Sequence, residues 1–240
     1  MLVVSAGSGN YPFHLTMRYC ENKCYEYGYI YHPFDLGGLG FGLKMNDPRC
    51  ESKFRRVKSA MKPELIEMMF DLGEETIVWI DGDATLIQSI PEIEADDSFD
   101  IGITVREKVN KKKSHYINAG VVFVKNNARA RKFVDFWIAS MPPLPDLDTM
   151  EKPSNYSDQQ TLEEKILLPA LDCPLWDLVG EIHEVMGVRV KFFDCETYNN
   201  FALIKAPRWE EGPGDTKILH FKGHRMHRIE SYHERFLSER

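Results

Sequence analysis

Short apolar runs that do not alternate with polar residues recur along the chain, and helical patterns separate them. The clearest run is TIVWI, which begins at Thr76, and LVVSAG, DIGITV and INAGVVFV are similar. A strand that is apolar on both sides has to be covered on both sides. Amphipathic segments at residues 12–28 and 128–141 supply apolar helix faces for that purpose. The pattern predicts an α/β fold, with helices on both faces of a mixed, mainly parallel sheet, in one domain spanning residues 1–240.

Two further segments show helical spacing together with recognisable ends. Residues 58–74 predict a helix with Leu65, Met68 and Met69 facing inward, and Gly73 near its end is typical of a helix C-terminus. Residues 157–171 predict another helix, in which Ser157 and Gln160 match a capping box.

The composition is that of an ordinary globular protein, with 43% hydrophobic and 28% charged residues. A net charge of −7 argues against a nucleic-acid-binding protein, which usually carries a basic surface. No apolar run approaches the roughly 20 residues of a transmembrane helix, and the first residues lack the features of a secretory signal. The five cysteines form no CxxC pair, which indicates reduced thiols. We therefore expect a cytoplasmic protein without a transmembrane segment, and whether it is part of a larger chain stays open.

Two aspartates, Asp81 and Asp83, flank a glycine where the TIVWI run ends. Ligands of open α/β sheets bind at the carboxyl ends of the strands, so this position favours a functional role. A tight turn or a helix cap would also use these residue types. Two neighbouring carboxylates repel each other unless a cation offsets their charge, however, which favours a metal site.

A phosphatase is one alternative for the same residues. WIDGDATL resembles the first motif of the haloacid-dehalogenase superfamily, in which Asp81 would be the nucleophile and Asp83 the acid/base. That motif normally follows the first strand of its domain, whereas here it follows a later one. The acidic residues of ADDSF also come too soon after the motif to be the pair that holds Mg²⁺ in that superfamily.

Four blocks occur in order along nearly the whole chain: VWIDGDATLIQSIPEI, INAGVVFVKNNARARKFVDFWI, SDQQTLEEKI and ILHFKGHRM. Together they resemble the GT-A nucleotide-sugar glycosyltransferases, especially the retaining galactosyltransferase and glycogenin-like families. The resemblance implies the GT-A (Rossmann-like) fold and the transfer of a sugar from a UDP-sugar to a hydroxyl of a glycan acceptor. It also implies retention of configuration, and it leaves open whether the protein is part of a glycan-assembly system. A non-catalytic sugar-nucleotide binder with the same fold is a further alternative.

The resemblance implies a Mn²⁺ or Mg²⁺ site and contacts to the donor diphosphate. The implied metal ligands are Asp81, Asp83 and His220, because hard cations bridge a diphosphate through oxygen-rich ligands. Lys222 and the Gly223 amide would contact the diphosphate, although the family's usual lysine lies a few residues further on. Taken alone, His220 also fits a core histidine at a strand end.

The resemblance also implies a donor-sugar pocket and a nucleotide pocket. Asp158 would bond the sugar hydroxyls and Gln159 would face the reacting carbon, while N-capping is the alternative role of this helix start. The sugar pocket would be lined by Asn118, Ala119 and Gly120, where a strand bulge is the alternative. Base and ribose would rest on Ser5, Ala6 and Gly7. Lys58 would contact the nucleotide or, equally, belong to a solvated helix face.

Overall fold

A computed structural model of the protein describes residues 1–7, 11–36, 61–106, 116–142, 158–171, 173–201, 212–222 and 227–236. Three residues of the sequence predictions, Lys58, Ser157 and Gly223, lie outside these ranges. Within them, no helix combines the length and the apolar character that crossing a membrane requires.

The described strands and helices follow the alternation that the sequence predicts. The strands are β1 (Leu2–Gly7), β2 (Ile30–Asp35), β3 (Thr76–Asp81), β4 (Ala84–Leu86), β5 (Ile101–Val105), β6 (Ile117–Lys125), β7 (Ile182–Val185), β8 (Val188–Asp194) and β9 (Ile218–His220). The helices are α1 (Tyr11–Glu26), α2 (Lys62–Met69), α3 (Pro91–Ala95), α4 (Ala128–Ser140), α5 (Asp158–Thr161), α6 (Cys195–Tyr198) and α7 (Ile229–Phe236). After α5 the chain continues as a π-helical segment (Leu162–Leu167) and a turn of α-helix (Leu168–Ala170).

Seven of the described strands form one sheet in the order β2-β1-β3-β6-β5-β8-β7. β6 is antiparallel to both of its neighbours and β7 is antiparallel to β8, so the other five strands point in one direction. This arrangement confirms the mixed, mainly parallel sheet. β4 and β9 pair separately as a small antiparallel ribbon. We call the side of the sheet where β1, β3, β5 and β8 end the carboxyl edge.

The sheet is covered on both faces, as its non-alternating strands require. On one face Val4 and Trp79 pack with Trp137 of α4, and on the other Val3 and Val78 pack with Cys20 of α1. Cys20 is one of four described cysteines, all of which are free thiols. Burial on both faces explains why a strand such as β3 carries almost no polar residue before its last position.

Two of the predicted helices differ in detail from the expectation. The prediction that Met68 faces inward is wrong, because its side chain is exposed, and the apolar side of α2 is formed by Leu65, Ile66 and Met69. Gly73 ends the following 3₁₀ turn in the left-handed conformation, with φ of 82°, as expected for a helix end. The helix predicted at residues 157–171 is present from Asp158 onward, but its middle is π-helical.

A buried carboxylate, Asp100, ties three elements together at the edge opposite the carboxyl edge. Its oxygens accept hydrogen bonds from the guanidinium groups of Arg129 and Arg189 and from the Asn127 amide, at 2.8–3.2 Å. Burial works to raise the pKa of Asp100, but these donors outweigh it and hold the pKa well below its ordinary value. The start of β5 is thereby fixed to α4 and β8.

Candidate active site

The two aspartates and the histidine that the sequence singled out lie together at the carboxyl edge. β3 ends at Asp81, a turn contains Asp83, and β4 begins directly after it. β4 pairs with β9 so that Ala84 lies opposite His220. One ligand atom of Asp81, one of Asp83 and one of His220 all lie within 4.8 Å of one another. The ribbon of β4 and β9 therefore brings a late histidine onto the aspartate pair.

Two glycines leave the space that this convergence needs. A Cβ atom on Gly82 would lie 2.4 Å from the carbonyl oxygen of Ala6, so a side chain there would collide with the end of β1. A Cβ atom on Gly120 would lie 2.6 Å from Cε1 of His220 and 3.2 Å from Oδ2 of Asp81. The side chains that come closest to Gly120 are thus those of His220 and Asp81, the candidate metal ligands. The predicted contact of Gly120 with a sugar stays a prediction.

The partners of each candidate ligand orient it. Trp79 donates its indole N–H to Oδ1 of Asp81 at 2.8 Å. Nε2 of His220 lies 2.9 Å from Oδ1 of Asp83. Burial works to raise the pKa of Asp83, but His220 and, less strongly, Lys222 lower it below its ordinary value. Asp83 is therefore held as a carboxylate.

A buried lysine that the sequence did not single out, Lys62, joins the aspartates to the start of α5. Its Nζ atom lies 2.9 Å from Oδ1 of Asp81, 2.6 Å from Oδ2 of Asp158 and 2.5 Å from the carbonyl oxygen of Ala119. Burial alone would lower the pKa of Lys62, but the charges of Asp158 and Asp81 raise it above its ordinary value. Lys62 belongs to the same basic stretch as Lys58, and its place in the first turn of α2 distinguishes it.

Asp158 and Gln159 are held at the carboxyl edge by their backbone and side chains. Trp137 of α4 donates its indole N–H to the carbonyl oxygen of Asp158 at 3.2 Å. The amide N–H of Ala119 donates to Oε1 of Gln159 in a long hydrogen bond of 3.4 Å. Burial raises the pKa of Asp158 although the charge of Lys62 opposes that shift. The structure thus joins Asp158 to Asp81 through Lys62 and places Gln159 against β6.

The π-helical segment after α5 is docked on β6 by a residue that the sequence prediction missed. Glu163 is buried, and its carboxylate accepts hydrogen bonds from the backbone N–H groups of Tyr116 and Ile117 at 2.9–3.1 Å. Single π-helical turns are often found at functional sites. Here the segment carries the carboxylate that fixes Asp158 and Gln159 relative to β6.

β6 is irregular where it passes the site. The register between β5 and β6 shifts between Ile103 and Val105, which confirms that this part of the strand contains a bulge. The bulge directs the carbonyl oxygen of Asn118 to the Thr104 hydroxyl, at 2.6 Å, instead of into the regular ladder. The Nδ2 atom of Asn118 is buried and has no hydrogen-bond partner among the residues that the structure describes.

The other residues predicted to contact the nucleotide or the diphosphate differ in how deeply they are buried. Ser5 is fully buried, while Ala6 is partly exposed and pairs with Asp81 across β1 and β3. Gly7 is the last residue of β1. Lys222 is exposed, two residues beyond His220. Their predicted contacts to nucleotide and diphosphate stay predictions.

The two acidic residues of ADDSF that the phosphatase alternative raised are not close to Asp81. Asp96 and Asp97 precede β5, which runs parallel to β3, so they lie toward the edge opposite the carboxyl edge. Asp96 is engaged there by Lys191 at 2.7 Å. These two residues cannot share a cation with Asp81.

Comparison with known proteins gives matches in structure alone. No family model matches the sequence, and no curated protein matches it. The crystal structure of a glycosyltransferase involved in the glycosylation of the major capsid of PBCV-1 is 16% identical, with a TM-score of 0.59, over 96% of this chain and 98% of that chain. The apo form of the glycosyltransferase GlyE of Streptococcus pneumoniae TIGR4 is 10% identical, with a TM-score of 0.50, over 93% of this chain and 54% of that chain. The galactosyltransferase LgtC, solved with donor and acceptor sugar analogues, is 14% identical, with a TM-score of 0.47, over 93% of this chain and 87% of that chain.

Proposed function

From the GT-A fold, which the chain shares with the PBCV-1 capsid glycosyltransferase, we propose that this protein is a metal-dependent glycosyltransferase. It moves a sugar from a UDP-sugar to a hydroxyl of a glycan acceptor and retains the anomeric configuration. A fold does not by itself imply an activity, so the proposal depends on the site. The observation that carries it is the convergence of Asp81, Asp83 and His220 at the carboxyl edge.

The three side chains fit a divalent cation. Two carboxylates and one imidazole nitrogen form a mixed oxygen and nitrogen donor set that suits Mn²⁺, and with lower preference Mg²⁺. When bound, such a cation neutralises the charge that grows on a nucleoside diphosphate as it leaves. Lys222 adds positive charge close to Asp83, and the Gly223 amide would add a hydrogen bond to the diphosphate.

The residues beyond the ligand set would bind the donor sugar. Asp158 accepts hydrogen bonds from sugar hydroxyls, and the buried Nδ2 of Asn118 donates one, because that group has no partner among the described residues. The Gln159 amide faces the reacting carbon. Lys62 keeps Asp158 and Asp81 in place by neutralising part of their combined charge.

The reaction exchanges one bond at the anomeric carbon for another. The bond to the diphosphate oxygen breaks, the bond to the acceptor oxygen forms on the same face, and the acceptor proton passes to the departing phosphate. The transition state is oxocarbenium-like, as in other glycosyl transfer. Because Lys62 already pairs with Asp158, we assign that carboxylate to binding and charge stabilisation rather than to covalent attack.

Thermal shift with UDP and Mn²⁺, followed by detection of UDP released from a panel of UDP-sugars, tests the proposal. Ligand binding raises the melting temperature by mass action, so UDP with Mn²⁺ should stabilise the parent protein. Asp83→Asn should lose both effects. The control Asp71→Asn should keep them, because Asp71 is exposed and pairs with Arg131 at the surface.

Two results would contradict the proposal and favour an alternative. UDP binding without turnover of any UDP-sugar would indicate a non-catalytic sugar-nucleotide binder. Hydrolysis of a generic phosphate ester without UDP binding would indicate a phosphatase with Asp81 as the nucleophile.

A further inference from the structure

The imidazole of His220 has one partner on each ring nitrogen. Nε2 points to Asp83, while Nδ1 lies 2.8 Å from Oδ1 of Asn199. Both His220 and Asn199 are buried. A cation binds one ring nitrogen of a histidine while the other nitrogen keeps its proton. The hydrogen-bond partner of the protonated nitrogen determines which of the two is left for the cation.

The orientation of the Asn199 amide is fixed by its other end. Nδ2 of Asn199 donates to the carbonyl oxygen of Asn118 at 2.8 Å and to the hydroxyl of Thr104 at 2.8 Å. A backbone carbonyl oxygen can only accept a hydrogen bond, so the NH₂ group has to face Asn118. The oxygen Oδ1 therefore faces His220 and accepts a hydrogen bond from its Nδ1–H group.

The backbone around Asn199 holds the amide in this place. The next residue, Asn200, donates its N–H to the carbonyl oxygen of Ile218 and accepts from the N–H of His220, both at 2.9 Å. Asn199 is thus placed beside the strand that carries His220. Because Asn199, Thr104 and Asn118 are all buried, water does not readily replace a hydrogen bond that is lost there.

We propose that Asn199 is a positioning residue of the metal site. By accepting the hydrogen bond of Nδ1–H, it fixes the His220 ring with Nε2 toward Asp83, where a cation can take the place of the Nε2 proton. The same amide holds the carbonyl oxygen of Asn118, so one side chain aligns the metal ligand with the bulge of β6. This inference rests on the metal role proposed above. Outer hydrogen bonds to metal-binding histidines typically change metal affinity by 10–100-fold when removed.

A neighbouring asparagine provides a matched control. Asn200 is also buried, and its Nδ2 donates to the carbonyl oxygen of Glu196 and the hydroxyl of Thr216, both at 2.8 Å. Asn199→Ala and Asn200→Ala each remove two comparable donated hydrogen bonds, so both should lower the melting temperature. Asn199→Ala should in addition weaken Mn²⁺ binding in the presence of UDP by about 10–100-fold, measured by electron paramagnetic resonance of free Mn²⁺. Asn200→Ala should leave it within about twofold of the parent value, well short of that range.

The hydrogen bond between Nδ1 and Asn199 can be observed without a metal. In metal-free protein both ring nitrogens face an acceptor, so the informative signal is the Nδ1–H proton itself. Proton–nitrogen spectra of protein with ¹⁵N-labelled histidine should show that N–H in the parent, with His220→Gln used for assignment. Asn199→Ala should lose the signal and Asn200→Ala should keep it. A His220 ring without a proton on Nδ1 in the parent, or equal Mn²⁺ losses in the two asparagine variants, would overturn the inference. If the parent shows Nδ1–H but binds no Mn²⁺, the metal role fails while the hold of Asn199 on the ring stands.

Discussion

Replacing Gly120 by alanine should disable the metal site while the chain still folds. The new methyl group would lie 2.6 Å from Cε1 and 2.8 Å from Nδ1 of His220. Carbon atoms in good contact are about 3.5–4.0 Å apart, so the imidazole has to move by about 1 Å. Metal sites tolerate changes of about 0.2 Å in ligand distance, so such a shift removes His220 from the ligand set.

We expect Mn²⁺ binding in the presence of UDP to weaken by about 10–100-fold in Gly120→Ala, which corresponds to about 1.4–2.7 kcal/mol. The imidazole cannot simply rotate away, because Asn199 and Asp83 hold its two nitrogens. Calorimetric titration of UDP with and without Mn²⁺ would measure the loss.

Gly102→Ala separates this effect from general overpacking. A Cβ atom on Gly102 would lie 2.7 Å from the ring of Phe193 and 2.9 Å from Phe123, in the neighbouring strand and away from the ligand set. Inserting a methyl group into a packed core typically costs about 1–3 kcal/mol, so both variants should melt at lower temperature. Equal Mn²⁺ affinities in the two variants would refute the reasoning.

Three further predictions test other parts of the structure. Gln159→Ala should slow sugar transfer severely while UDP affinity changes little, and a loss of UDP binding equal to the loss of rate would contradict its place beside the sugar. Asp83→Ala and His220→Ala should each weaken Mn²⁺-dependent UDP binding by about 1–3 kcal/mol, and the double variant should resemble the worse single one, since both serve one ion. Asp100→Asn should lower the free energy of unfolding at pH 7 by about 1.5–3 kcal/mol, because its hydrogen bonds with two arginines are charge-assisted. Because the pKa of Asp100 is depressed in the folded protein, its carboxylate stabilises the fold fully above the ordinary aspartate pKa of about 3.9. Denaturation at a series of pH values should therefore show that the stability difference between Asp100→Asn and the parent shrinks below about pH 4. The control Asp135→Asn, at an exposed position, should show no such stability difference from the parent at about pH 7.

The parts of the site that the sequence could predict are those that short local patterns of residues indicate. A buried strand ends where an aspartate pair begins, and the carboxyl end of such a strand is where ligands bind. Asp81 and Asp83 could therefore be singled out before any contact was known. His220 could be added because it follows a second apolar run and belongs to a block that occurs in order with three others.

Residues whose importance comes from buried contacts between distant segments could not be found this way. Lys62 and Lys58 are indistinguishable as members of one basic stretch, and what separates Lys62 is a position in α2 that aims its ammonium at two carboxylates. Asn199 follows a four-residue helix, where asparagine is commonplace. Its contact with His220 depends on the pairing of its neighbour with β9, which no local pattern contains.

The site also depends on structure that contributes no ligand. β4 and β9 have three residues each, and a two-stranded ribbon of that size is not stable on its own. Leu219 and Phe221 on β9 and just after it pack with Ile229 and Tyr232 of α7, so burial against this helix supports the ribbon. The N–H of Phe221 donates to the carbonyl oxygen of Asp83 at 2.7 Å, which links that small core directly to the aspartate turn. The geometry of the ligand set is therefore fixed from two sides, by the large sheet through β3 and by α7 through β9.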